Sequence, residues 1–246
     1  MLRKKSLGGD PGVWTNEEVS QYDMMQSIFI PKKDEMLDVI VSMIPFSETR
    51  AFKVMEIGVG LGALTERMLK RFPEADFLCL DGSDEMISNA RVRLAGSDKK
   101  IKFLKINFNN SGWLENINNK FDLICSSLTL HYLATRRREN FFKEAFGLLK
   151  KNGMLIYSSG VTANSPSVQK IYFKIHKEYL KTKILKVMGK KFSDEDLDRE
   201  FKKREAMLGI NLITCEKHLD YLRRAKFSKT EFIWKHEHYA IFMGVK

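Results

Sequence analysis

Residues 54–62 read Val-Met-Glu-Ile-Gly-Val-Gly-Leu-Gly, an apolar run that breaks into glycines at positions 58, 60 and 62. Nineteen residues after Gly62, Asp81 closes a second apolar run, Phe77-Leu-Cys-Leu80. A strand, a glycine turn, a helix and a second strand ending in a carboxylate make the first half of a nucleotide-binding βαβ unit. Glycine is needed where the backbone turns sharply and lies against a ligand, leaving no room for a Cβ. The carboxylate suits the paired hydroxyls of a ribose.

The same periodicity continues. Strands are expected at Lys53–Val59, Phe77–Leu80, Ile101–Ile106, Phe121–Ser126 and Met154–Ser158, alternating with helices at Ala63–Arg71, Glu85–Leu94 and Arg137–Lys150. Asn152-Gly153 reads as the stop of the last of these helices. Alternation of this kind predicts a parallel sheet with helices on both faces. Before it, Thr15 and Glu18 form a capping box for a helix over 15–30, and Lys33–Met43 reads as a second helix. After it the alternation stops. A long helix is expected from Ser165-Pro166 to about Met188, then one capped at Ser193, a helix at Cys215–Ala225, and a closing antiparallel pair, Glu231–Trp234 with Tyr239–Val245. The expected division is an N-terminal helical cap over 1–50, a core over 51–160 and 211–246, and a helical lid insert over 161–210.

The chain has 246 residues, 43% of them hydrophobic, enough for an ordinary buried core. No apolar run reaches the ~18 residues of a membrane span, so a soluble, cytoplasmic protein with no membrane partner is expected. Cys79, Cys125 and Cys215 are odd in number and widely spaced, which argues against a disulfide framework or a zinc site. His236 and His238 straddle the last turn without an evident third ligand, and no metal is expected. The net charge of +11 is unevenly placed. Residues 1–50 hold six Lys/Arg and eight Asp/Glu, whereas residues 165–191 hold eight lysines and Glu178 alone. Such a patch concentrates anions, nucleic acid or acidic metabolites among them.

Taken alone, Gly58-x-Gly60-x-x-Ala63 also fits a dinucleotide fingerprint. Glu56 separates the two readings. A carboxylate facing the cofactor crevice repels a pyrophosphate and attracts a cationic amine. The roughly 50 residues before the strand and the closing hairpin pattern point the same way.

On Glu56-Ile-Gly-Val-Gly-Leu-Gly62, Asp81-Gly-Ser-Asp-Glu-Met-Ile87, Ser126-Ser-Leu-Thr-Leu-His-Tyr-Leu133 and Leu148-Leu-Lys-Lys-Asn-Gly-Met154, the chain resembles the class I S-adenosylmethionine-dependent methyltransferases. The resemblance implies an α/β, Rossmann-like, seven-stranded mixed sheet whose last strand is antiparallel, with S-adenosyl-L-methionine as cofactor. It places Gly58, Gly60 and Gly62 along the methionine part, Asp81 on the ribose, and Gly82 and Met86 beside the adenine. Asn107 and Phe108 fall where the family commonly has an acidic acceptor for the adenine amine, and an amide oxygen there accepts without charge. Ser127 joins the cofactor set, and Tyr22 in Gln-Tyr-Asp would close over the cofactor carboxylate.

A closer resemblance is to the carboxy-S-adenosylmethionine synthases, on Trp14-Thr15, Thr129-Leu-His-Tyr-Leu133 and Lys203-Arg204-Glu-Ala-Met-Leu208. It implies that Arg204 pairs with a carboxylate on a carboxylated cofactor. The synthases carry Asp, Cys and Ser where this chain has Glu56, Val59 and Gly60, and the Arg204 segment has one residue more.

No Asn-Pro-Pro-Tyr follows the fourth strand. Ser126-Ser127-Leu128 stands there and points to a small-molecule acceptor rather than a flipped base. Nucleic acid is disfavoured on that ground, and a homodimer stays open. His131, just after the strand, is the candidate general base. Tyr172 and His176, four apart on the lysine-rich helix, are the candidate acceptor contacts. Lys174 and Lys177 would favour an acceptor carrying a carboxylate or phosphate.

Overall fold

The computed structural model describes residues 26–97, 100–115, 117–208 and 210–246; the side chains of Ser111 and of 203–208 lie outside that description. Tyr22, Trp14-Thr15 and the first part of the expected N-terminal helix therefore fall outside the described residues. A helical turn at 26–29 leads into α1 (Lys33–Ser42).

The elements then run β1 (Lys53–Ile57), α2 (Ala63–Arg71), β2 (Asp76–Asp81), α3 (Asp84–Arg93), β3 (Ile101–Lys105), β4 (Phe121–Ser127), α4 (Thr135–Leu148) and β5 (Leu149–Gly160). Two helices follow, α5 (Pro166–Met188) and α6 (Asp194–Leu208), then α7 (Cys215–Arg224), β6 (Ser228–His236) and β7 (Tyr239–Val245). One seven-stranded sheet has the order β3-β2-β1-β4-β5-β7-β6, with β7 antiparallel to β5 and β6 and the other neighbours parallel.

Side-chain alternation along each strand feeds two cores. Leu80, Ile124, Leu155 and Tyr157 face α4 and α7, while Cys79, Leu123, Cys125 and Ile156 face α1, α2 and α3. Successive residues point to opposite faces, so a sheet covered on both sides needs apolar residues at every position. That is why the runs at 77–80 and 121–126 are continuous rather than alternating. A third, smaller cluster joins Ile28 and Phe29 to Leu180, Ile184 and Leu197. It ties the N-terminal turn to α5 and α6.

Several boundaries differ from the sequence expectation, most of all the start of β5, at Leu149 rather than Met154. β1 ends at Ile57 because the N–H groups of Gly58 and Val59 both turn to the Leu80 carbonyl, at 2.8 and 2.9 Å. Helix α4 ends at Leu148, four residues before Asn152-Gly153. That pair sits within β5, in the irregularity opposite Phe121 and Leu123, where Asn152 has φ +62 and its N–H donates to the Lys246 carbonyl at 3.0 Å. The Asn-Gly signal marks a left-handed backbone position and does not say whether a helix or a strand contains it. Strand β6 begins at Ser228, three residues early. The caps at Ser165 and Ser193 fall where expected. Ser193 Oγ accepts from Asp196 N–H at 3.1 Å, and Asp196 Oδ2 accepts from Ser193 N–H at 3.0 Å.

Candidate functional site

The carboxyl ends of β1, β2 and β4 open into a cavity of about 370 Å³. This is the edge where open α/β sheets receive ligands, because the strand order reverses between β1 and β4 and the connecting helices diverge.

The glycine turn lines one wall, but its three glycines do different work. A Cβ on Gly58 would lie 2.0 Å from Thr129 Oγ1, and Gly58 has φ +73; the constraint is the loop after β4. A Cβ on Gly62, at φ +79, would meet Leu94 at 3.0 Å, so this residue lets α2 start against α3, and it is not part of the cavity wall. Gly60, at φ +52, has nothing within 4 Å of its missing Cβ and faces the cavity.

Asp81 is held at the end of β2 by the turn it faces. Oδ2 accepts from Gly60 N–H at 2.9 Å and Oδ1 from Ser83 N–H at 3.0 Å. Burial raises its pKa, and the N–H bonds from Gly60, Ser83 and Gly82 oppose that rise. A carboxylate has about four acceptor positions, so acceptor capacity remains for a hydroxyl donor.

Glu56 lines the same cavity at 1% exposure and accepts from the Thr65 hydroxyl. Burial pushes its pKa up to about 8; the hydrogen bond from Thr65 opposes this and the Asp81 charge adds to it. At neutral pH the carboxyl is largely protonated until a cation arrives to hold its charge.

Gly82, Met86, Asn107, Phe108 and Ser127 also line the cavity. Met86 is 2% exposed, at the first turn of α3, where Ser83 caps the helix by accepting from Met86 N–H at 3.3 Å. The Asn107 side-chain oxygen accepts from Asn109 N–H at 3.0 Å, an Asx turn that leaves one acceptor site. Phe108 packs against the core beneath α4, with Trp113 edge-on at 6.4 Å.

The structure does not bring the expected acceptor residues to this cavity. His131 is 7% exposed and does not line it; its Nδ1 accepts from Gly160 N–H at 3.4 Å. That bond puts the ring proton on Nε2. Burial first, and the Arg138 charge second, push its pKa down to about 3, so it is a weak base with its free lone pair already used. Tyr172 accepts from Lys235 Nζ at 2.9 Å and meets His238 edge-on. His176 is 4% exposed, with Nδ1 at 3.3 Å from Glu237 Oε2 and its ring against His238 at 5.6 Å. Both belong to the contact between α5 and the β6–β7 turn. Lys177 is paired to Asp198 on α6 at 2.9 Å. The side chain of Arg204 lies outside the described residues.

Sequence reading missed much of the lining: Gln26, Lys33, Leu37, Asn109, Asn110, Leu128, Thr129 and Tyr132. Three asparagines within 107–110 are a loop signal that went unused. Leu128 has no such signal. It is a buried leucine at φ +53, held there because its N–H donates to Ser158, to the carbonyl at 3.1 Å and the hydroxyl at 3.2 Å. Left-handed backbone costs a leucine about 1–2 kcal/mol, and such strain gathers at functional sites.

Residues 54–153 match the family described as a methyltransferase domain. Carboxy-S-adenosyl-L-methionine synthase of Nautilia profundicola is 23% identical over 94% of this chain and 93% of its own length. Malonyl-[acyl-carrier protein] O-methyltransferase 2 of Ilyobacter polytropus is 28% identical, over 44% of this chain and 39% of its own. Among solved structures, human N-acetylserotonin methyltransferase in complex with S-adenosylmethionine superposes with a TM-score of 0.60 at 14% identity, over 94% of this chain and 56% of that one, and shares the fold. The first match spans nearly the whole chain; the chain spans well under two thirds of the other two.

Proposed function

We propose that this chain, an S-adenosyl-L-methionine-dependent methyltransferase by its domain and relatives, transfers a methyl group in line to a small-molecule acceptor. The observation that carries the reading is the pair of carboxyls on one cavity. Asp81 is fixed by Gly60 N–H with acceptor capacity to spare, and Glu56 is buried beside it with its pKa pushed up to about 8. The residues fit the cofactor. Asp81 would take the ribose hydroxyls, Gly60 leaves open space where its Cβ would stand, and Gly82 and Met86 form an apolar slot for a base. Glu56 would meet the ammonium of the methionine part. When bound, S-adenosyl-L-methionine supplies an electrophilic methyl on a sulfonium.

The protein's share is then orientation and exclusion of water, worth up to ~7–11 kcal/mol in well-aligned systems. Asn110, Tyr132 and Lys33, which also line the cavity, would receive the acceptor. Lys33 would favour an acceptor that carries an anionic group, whereas Lys105 is already paired with Asp84. No step is assigned to His131, whose geometry offers the cavity neither a contact nor a free lone pair.

Binding has a pH signature. Because Glu56 is protonated below about 8 when the cavity is empty and ionised beside an ammonium, complex formation releases a proton. Affinity should rise up to tenfold per pH unit between pH 6 and 8, and Glu56→Gln should flatten that slope. Titration calorimetry in two buffers of different ionisation enthalpy measures the released proton; zero release would sink the assignment.

A second reading rests on the near full-length similarity to carboxy-S-adenosyl-L-methionine synthase. Calorimetry with S-adenosylmethionine and its carboxylated derivative, side by side, separates the two. Tighter binding of the carboxylated form, weakened by Arg204→Ala, would favour the second.

A further inference from the structure

Helix α5 has two apolar sides. One is the stripe His176, Leu180 and Ile184, spaced four apart and buried, with Leu180 and Ile184 against Ile28, Phe29 and Leu197. The other faces water. Of the eleven exposed large apolar side chains among the described residues, seven lie on α5. Val168 is 38% exposed, Ile171 56% and Ile175 47%, at spacings of three and four that align them along one edge roughly opposite the buried stripe. Leu185 at 46% continues that edge ten residues on, through Glu178 and Thr182.

The charge on this helix is nearly all of one sign. Lys177 and Lys181 are satisfied by Asp198 and Asp194 of α6, and Glu178 by Lys181. Lys170, Lys174, Lys183 and Lys186 have no ion pair among the described residues, and Lys190 and Lys191 follow exposed after the helix. The helix therefore presents aliphatic side chains bordered by unpaired ammonium groups. The free energy cost of leaving such residues in water is ordinarily removed by a partner.

We propose that this face of α5 docks on an anionic lipid surface, with Val168, Ile171 and Ile175 entering the headgroup boundary and Lys170, Lys174 and Lys186 meeting lipid phosphates. The charge is complementary to such a surface, and the apolar edge supplies the burial that makes an amphipathic helix bind it. A second copy of the chain would bring two lysine faces together and is opposed by repulsion. A nucleic acid would use the lysines but gain little from isoleucine and valine, since bases stack on aromatic faces. The edge of one convex helix suits a fluid boundary that adapts to it; a protein partner would need a complementary pocket. This is peripheral docking. No helix among the described residues is long and apolar enough to cross a membrane.

The test is co-sedimentation of the full chain with vesicles of phosphatidylcholine alone or mixed with phosphatidylglycerol, at low and high salt. Binding is expected only with the anionic vesicles and should weaken with salt as the charges are screened. Lys170→Ala with Lys174→Ala should lower the partition coefficient by about 20- to 30-fold, near fivefold per lysine. Ile171→Asn with Ile175→Asn should lower it at least about tenfold at unchanged charge. Neither pair touches the cavity, so S-adenosylmethionine affinity and the thermal midpoint should stay at the wild-type values, which separates this idea from the cofactor assignment.

Three results would overturn it. One is no sedimentation with anionic vesicles. Another is sedimentation that the isoleucine variant keeps in full, which would report bare charge of the kind a nucleic acid also meets. The third is a dimer in sedimentation equilibrium that the isoleucine variant abolishes, which would give the face to a second copy.

Discussion

The glycine turn and the α5 region both combine buried titratable groups with a tight backbone, yet they do opposite things with them. In the turn, Glu56 and Asp81 border open space, and their partners are backbone N–H groups and one hydroxyl. At α5, His176 bonds to Glu237, His238 to Gln169 and Tyr172 to Lys235, and the rings of His176 and Tyr172 meet His238, which closes the junction between the helix and the β6–β7 turn. The first arrangement leaves acceptor capacity for a ligand, whereas the second spends its capacity inside the protein. A perturbed ionisable group marks a binding site only when something besides protein can reach it.

The sharpest way to break this comparison is at Gly58. Alanine there must adopt φ +73 and put a methyl on Thr129, so Gly58→Ala should destabilise the protein by about 3 kcal/mol or more. Chemical denaturation measures it. If stability is unchanged, the turn is not braced by the β4 loop. Gly60→Ala is the control within the same turn. With open space before it, alanine should cost only about 1–2 kcal/mol of strain while it weakens cofactor binding.

Next comes Asp81→Ala. Loss of charge-assisted hydrogen bonds to two hydroxyls should lower cofactor affinity by roughly 100-fold or more. Calorimetry reads this directly, and near-native affinity would move the ribose elsewhere.

The α5 junction should respond to acid instead. His176 and His238 have pKa values pushed down to about 4, chiefly by burial, against about 6.5 in an unfolded chain. The unfolded state therefore binds more protons between pH 6.5 and 4. Stability is full above that window and falls through it by up to about 1.4 kcal/mol per pH unit for each ring. Amide exchange in α5 should accelerate as pH falls from 6.5 to 5, after correction for intrinsic rates, while that in β1, β2 and β3, which hold no histidine, changes less. Uniform acceleration would dissolve the distinction. The smallest effect is expected from Tyr172→Phe, which removes one half-exposed hydrogen bond from Lys235 and should cost under ~1 kcal/mol.

Much of the fold was legible in residue order. The strands at 53–57, 76–81, 101–105 and 121–127 were readable because short segments rich in apolar residues between glycine, proline and cap signals leave few other structures. Local chemistry also announced the caps at Ser165 and Ser193. The acceptor side was another matter. Tyr172 and His176 share a helix face as expected, but which way that face points depends on β6 and β7, more than 50 residues further along the chain. The same holds for His131, whose loop is set by Gly160 and by Asn211, which donates its N–H to the His131 carbonyl at 3.0 Å.

By itself, then, the sequence determined the strands of the sheet, the glycine turn and the carboxylate at the end of β2, because periodicity, glycine and capping act within a few residues; the cofactor class came from Glu56 and the family resemblance. Tertiary structure alone decided that Gly58 packs against Thr129 and Gly62 against Leu94 while Gly60 borders open space, that Leu128 is held left-handed by Ser158, and that α5 turns His176 and Ile184 inward and Ile171 and Ile175 out. Those outcomes depend on which distant backbone comes within a few ångströms, and spacing along the chain carries no record of that distance.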